Sequence, residues 1–350
     1  MPPSCPVPLP VPRGPLSSWV IRRLERPHVR SSDAPIPAVA SGSGWSDDLQ
    51  LALYLGHHLH LGAWRDRPGV AEWDADLIAL RCRLEDEFLA ALRHDADELL
   101  AGSDGNGMEA TELSGVEVVR RVRALIETDT SPSVSSYLRD TGSLAQFRDV
   151  VTARAAYQLT EGDFHTFAIP RLPGRAKQLL AAIQAGEYGA DAPGRELHAA
   201  LFAQTMRELD LDDRPYALLD RQGVGSLAVS NLISTLALHA SRRGALVGHL
   251  AVFEMTSVEP MGRYAAGLRR LGASEAACRF YDVHVLADAE HEHMAAEMVT
   301  ALVDDEPGLA VDVLFGAAAA LVVERRYADD LFGGWVEPAT STPSVGLLAV

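Results

Sequence analysis

Helical spacing runs through almost the whole of this chain, and it limits the fold more than any other property. In "DADLIALRCRLEDEFLAALRH" (74–94) and "AACRFYDVHVLADAEHEHMAAEMVTALV" (276–303) apolar residues recur three and four apart. That spacing gathers them on one side of a 3.6-residue helix. "RELHAALFAQTMREL", "SLAVSNLISTLALHASRR", "ALVGHLAVFEM" and "GRYAAGLRRLG" repeat the pattern, and the alternation expected of strands is almost absent. An all-α fold follows, in which helices bury their faces on one another as a multi-helix bundle. Asp74 is placed to cap the helix that follows it.

Composition sets the boundaries. Residues 1 to 45 are rich in Pro, Ser and Gly, which predicts a disordered or surface-draped N-terminal arm. Residues 46–335 form the helical domain, and 336–350 a C-terminal tail. The opening "MPPSCPVPLPVPRGP" lacks the basic and apolar regions of a secretory signal. The apolar run Val313 to Val323 is too short to span a bilayer. A net charge of −17 argues against nucleic acid and membrane partners. Lys177 is the only lysine, which leaves little room for Schiff-base or Walker-type chemistry, and neither motif is present. Cys5, Cys82 and Cys278 form no CxxC pair and no disulfide framework, and a reducing cytoplasmic setting is the expectation.

The segment "HVLADAEHEH" (284–293) crowds histidines and carboxylates into one predicted helix. His284, Asp288 and His291 stand at i, i+4 and i+7 and share a face. His293, Glu290 and Glu292 fall off that face. Two imidazoles and a carboxylate suit iron, manganese or zinc. Glu290 and His293 offer an opposite reading, the E-x-x-H of ferritin-type bundles, an architecture that needs a second copy on another core helix. Upstream, Glu161, Glu187 and His198 stand near predicted helix ends. Glu187 closes one helix, and His198 lies about one turn into the next, which is capped by 191–194.

Taken in order, Glu161, Glu187, His198, His284, Asp288 and His291 resemble the ligand pattern of the haem-oxygenase-like diiron oxidases, often called iron-containing redox enzymes. That pattern is one glutamate, a second glutamate followed about ten residues later by a histidine, and H-x3-[DE]-x2,3-H on a late helix. The resemblance covers about residues 145 to 300. It implies a haem-oxygenase-like helical bundle with two non-haem irons held by those six residues and dioxygen as co-substrate. It also implies a small organic substrate, an amino acid or fatty acid undergoing N-oxygenation, desaturation or oxidative C–C cleavage in specialised metabolism. An external electron donor, a reductase or ferredoxin partner, goes with that chemistry, and a homodimer is compatible with it.

Other polar groups carry less. His249 and Glu254 share a helix, either as a satisfied buried pair or with Glu254 as a further carboxylate. His165, four residues after Glu161, is a supporting hydrogen-bond donor or an exposed loop histidine. "GHHLH" (56–60) lacks a carboxylate at metal spacing and is surface or packing. Arg242, Arg243, Arg263, Arg269 and Arg270 are expected in surface ion pairs. The competing functions are a ferritin-like storage protein using Glu290 and His293, a non-enzymatic helical interaction module, and a true haem oxygenase, whose porphyrin so many carboxylates would crowd.

Overall fold

The computed structural model describes residues 9–25, 35–64, 72–103 and 113–335, and every regular element among them is helical. The first element departs from expectation. Within the Pro- and Ser-rich start, Pro15–Glu25 forms helix α1, which buries Leu16, Trp19, Val20, Ile21 and Leu24. Its apolar residues stand at helical spacing, Pro15 occupies the first helical position, and Asp48 accepts from the Leu16 and Ser17 amides at 2.9 and 2.8 Å. Composition averaged over 45 residues concealed an amphipathic stretch of about three helical turns. This part of the expected arm therefore belongs to the bundle; the tail 336–350 lies outside the described residues.

Short polar side chains start the next helices. Ser46 caps α2 (Asp47–His58), and Asp74 caps α3 (Ala75–Ser103) by accepting from the Leu77 amide at 3.1 Å, as the sequence predicts. Ser114 caps α4 (Gly115–Thr128) and Ser133 caps α5 (Val134–Asp140). Ser143 and Gln146 form a reciprocal capping box on α6 (Leu144–Gln158). After the short α7 (Asp163–Thr166) come α8 (Gly174–Glu187) and α9 (His198–Glu208). His198 is the first residue of α9 rather than a turn inside it, because Gly189 and Gly194, with φ of +62° and +82°, keep the connection non-helical.

The core is built by α10 (Val224–Leu238), α11 (Arg243–Arg270), α12 (Glu275–Asp305) and α13 (Ala310–Trp335). α11 packs on both α12 and α13, and α10 packs on α13. Two glycines set how closely α11 and α13 approach. A Cβ on Gly248 would lie 1.9 Å from the Val313 carbonyl oxygen, and one on Gly316 would lie 1.9 Å from that of Ala245.

The apolar run in α13 extends further than the sequence reading allowed. Pro307–Trp335 is long and apolar enough to cross a membrane by length and composition, but 67% of its most apolar window is buried in the bundle. Packing on α10 and α11 accounts for that apolar character. Each fully buried Leu, Val or Phe there is worth roughly 1.5–3 kcal/mol.

"GHHLH" is packing. His57 Nε2 lies 3.0 Å from Glu85 Oε1, His239 Nε2 lies 2.7 Å from Glu85 Oε2, and His57 Nδ1 lies 3.3 Å from Asn231 Oδ1. His58 stacks on Tyr54 at 3.8 Å and reaches Ser230 Oγ at 3.1 Å. These contacts tie α2 to α3 and α10.

Candidate metal centre

Four helices and one turn deliver seven buried polar side chains to one place. Glu161 sits in the turn after α6, Glu187 ends α8, His198 begins α9, Glu254 lies inside α11, and α12 contributes His284, Asp288 and His291. Helix-end positions on α8 and α9, both of which pack on α12, turn Glu187 and His198 toward its residues. Gly186 makes room: a Cβ there would stand 2.7 Å from His291 Nε2.

The donor atoms fall into two groups that share Glu187. In the first, one atom each from Glu161, Glu187, His198 and His284 lies within 4.8 Å of the others; in the second the same holds for Glu187, Glu254 and His291. Glu187 Oε2 accepts from His198 Nδ1 at 2.8 Å, while Oε1 faces His291 Nδ1 at 3.5 Å. His291 Nδ1 is also 3.4 Å from Glu254 Oε2 and 3.7 Å from Asp288 Oδ1. His284 Nε2 is 3.5 Å from Glu161 Oε2.

Apart from the His198–Glu187 hydrogen bond, those separations are ion-pair approaches rather than aligned hydrogen bonds. Glu161 Oε2, His284 Nε2 and His291 Nδ1 are buried and have no hydrogen-bond partner among the described residues. Such groups cost stability unless something satisfies them. A cation between them would do so, and the donor set of carboxylates and imidazoles suits iron. His284 is oriented for it: Nδ1 donates to the Phe280 carbonyl at 2.8 Å, which leaves Nε2 as the lone-pair nitrogen facing Glu161.

The electrostatics describe a closed charge cluster. Burial opposes the charge on His284, but Glu161 and its neighbours outweigh it and push the imidazolium up to about 10. His291 likewise rises, against burial, to about 9 through Glu254 and Glu187. Burial and the nearby Asp288 and Glu187 raise Glu254 to about 7. Burial also raises Asp288. On Glu187 the hydrogen bond and charge of His198 overcome burial and lower it to about 2. Without a metal, protons on the imidazoles balance the carboxylates; with one, the metal would take their place.

All six residues expected from the sequence therefore meet in one cluster, Asp288 through its contact with His291. Glu254 joins them, and the expected pairing of His249 with Glu254 does not form. Five residues along a helix turn the two side chains about 140° apart. His249 Nδ1 instead lies 3.4 Å from His165 Nε2, and His165 is buried rather than on an exposed loop. Glu290 and His293 are exposed, so the ferritin-type E-x-x-H faces solvent, and Glu292 pairs with Arg123 at 3.0 Å. Arg243, Arg263 and Arg269 make ion pairs with Glu306, Glu259 and Glu275 respectively, and Arg270 donates to the carbonyls of Leu138 and Arg139.

The cluster forms part of the wall of a cavity of about 320 Å³. Fold and centre together define an all-helical protein with a buried histidine–carboxylate cluster of the kind that can hold a metal. The chain belongs to the iron-containing redox enzyme family, which it matches over residues 148–325, a span that holds all seven cluster residues. It is thus an iron-dependent oxidoreductase by family. No curated protein matches the chain.

Proposed function

We propose that this protein is a non-haem diiron oxidase or oxygenase that activates dioxygen to oxidise a small organic substrate. The observation that carries the proposal is Glu187, whose two oxygens face two different donor groups, the arrangement expected of a carboxylate that bridges two ions. Glu161, Glu187, His198 and His284 would hold one iron; Glu187, Glu254, Asp288 and His291 would hold the other. When bound, a ferrous pair supplies open coordination positions and electrons for dioxygen reduction.

The chain's own residues do the rest. Four carboxylates offset the charge of two divalent ions and let neutral imidazoles complete each set. The Phe280 carbonyl holds His284 in the tautomer whose Nε2 faces inward. The helices bury the cluster against the adjoining cavity, which limits bulk water at the reacting centre. N-oxygenation, desaturation and C–C cleavage of an amino acid or fatty acid are all compatible with this arrangement, with an external reductase or ferredoxin returning electrons.

Anaerobic Fe(II) loading tests the reading. About two irons per chain are expected, with an oxygen-dependent optical change that His284→Ala abolishes. A single iron per chain, or a haem absorption band on purification, overturns it.

A further inference from the structure

At a distance from the ligand cluster, the cavity wall carries an ion pair that the metal chemistry does not use. Arg154 on α6 is the only arginine or lysine on that wall among the described residues. Its two terminal nitrogens donate to the two oxygens of Glu324 on α13 at 2.7 and 2.6 Å. The guanidinium lies 3.9 Å over the ring of Tyr327. The Tyr327 hydroxyl is buried beside the donor Arg154 and finds no acceptor for its own proton among the described residues. Such a buried hydroxyl beside a cavity is a donor awaiting an acceptor.

Charge selects what fits. Outside the proposed ligands, the ionised groups on the wall are Asp129, Glu324 and Arg154. A ligand bearing only a carboxylate would add a second negative charge beside Glu324 in a partly dehydrated site. The Arg154–Glu324 pair is neutral by itself, and a ligand bearing an ammonium as well leaves it so: its carboxylate meets the remaining N–H groups of Arg154 and the Tyr327 hydroxyl, and its ammonium meets Glu324. Position selects length. Arg154 stands on α6 and Glu161 seven residues later in the turn that follows it, so a ligand held at Arg154 must extend from the helix to that turn.

We infer that Arg154, Glu324 and Tyr327 form the head-group site for a zwitterionic, amino-acid-like substrate, whose far end reaches the metal cluster. The inference rests on the proposed diiron reading. It makes the Arg154–Glu324 pair a specificity determinant that favours an amino acid over a fatty acid.

Calorimetric titration of the iron-loaded full-length chain, kept anaerobic, tests it with probes that share a carbon skeleton. L-norleucine carries both head groups, hexanoate lacks the amine, and pentylamine lacks the carboxylate; laurate represents a fatty acid. Norleucine is expected to bind about tenfold or more tighter than each of the others. Arg154→Lys and Tyr327→Phe are each expected to weaken norleucine about tenfold with iron content unchanged. Tyr327→Phe guards against misfolding, since a merely structural hydroxyl without an acceptor leaves binding untouched when removed. Hexanoate or laurate binding as tightly as norleucine, no binding of norleucine to the iron-replete chain, or unchanged affinity in both variants overturns the inference. Iron is assayed separately in every sample. A chain that takes up no iron sinks the diiron reading, while its norleucine selectivity still decides the role of Arg154.

Discussion

The imidazole of His291 occupies the space that a side chain on Gly186 would need, with Nε2 2.7 Å from the position of a Cβ. One helix has thus given up a side chain so that another can bring its histidine to Glu187. Gly186→Ala would favour the α8 helix by about 1 kcal/mol on propensity alone. The expected result is an intact fold with reduced iron content, because His291 must move. Metal analysis alongside circular dichroism checks this, and full iron occupancy in the variant would show that His291 does not bind.

Removal of Glu254 separates the two donor groups. Glu254→Ala is expected to lower the iron load from about two to about one per chain, while Glu187→Ala, which removes the shared carboxylate, lowers it below one. Equal losses in the two variants would contradict the assignment of Glu187 as the bridge.

Acid should destabilise the metal-free protein through histidines outside the cluster. Burial lowers His57, His58 and His249, and lowers His165 to about 4. Below pH about 6.5 the unfolded chain binds protons that these folded imidazoles refuse, so stability falls as pH drops toward 4. His284 and His291 have raised values and work the other way: their contribution is complete below the ordinary histidine value and is lost as pH rises through 9 to 10. Melting temperature measured from pH 7 to 4 should decline, with a shallower decline for His165→Gln. A flat profile refutes the account.

Glu85 anchors α2, α3 and α10 through His57, Arg81 and His239. Despite burial, His239 and His57 hold its carboxyl well below the usual range. Glu85→Gln is expected to cost about 3 kcal/mol, since it leaves buried partners uncompensated. Denaturant unfolding measures this directly, and a change under 1 kcal/mol, roughly a surface-pair value, would mean that the network relaxes.

Gly316→Ala places a methyl against the Ala245 carbonyl, where no space exists. Overpacking of this kind costs about 1–3 kcal/mol or more. Because α11 carries Glu254 and packs on α12, iron uptake should weaken together with the melting temperature. Wild-type stability in this variant would show that the two helices separate freely.

Much of this was readable before any coordinates. Periodicity alone indicates an all-helical fold, and the i, i+4, i+7 stripe of His284, Asp288 and His291 needs only the helix geometry to converge. Glu161, Glu187 and His198 required the family resemblance, since nothing in their own spacing brings them together. Glu254 has a weaker sequence signature still: a lone glutamate in "HLAVFEM" gives no hint of whether it meets a neighbouring histidine on its own helix or one on another. α1 was hidden for a different reason, because proline and serine around it masked a short amphipathic pattern.

Local order in this protein follows from the chain itself, because hydrogen bonding and side-chain spacing within a helix involve residues at most a few positions apart. The meeting of Glu187 with His291, the emergence of Glu254 as a cluster member and the pairing of Arg154 with Glu324 were decided only in three dimensions. Each depends on which helix faces which, and at what distance. That is set by packing at contacts such as Gly248 on Val313 and Gly186 on His291, between residues far apart in sequence.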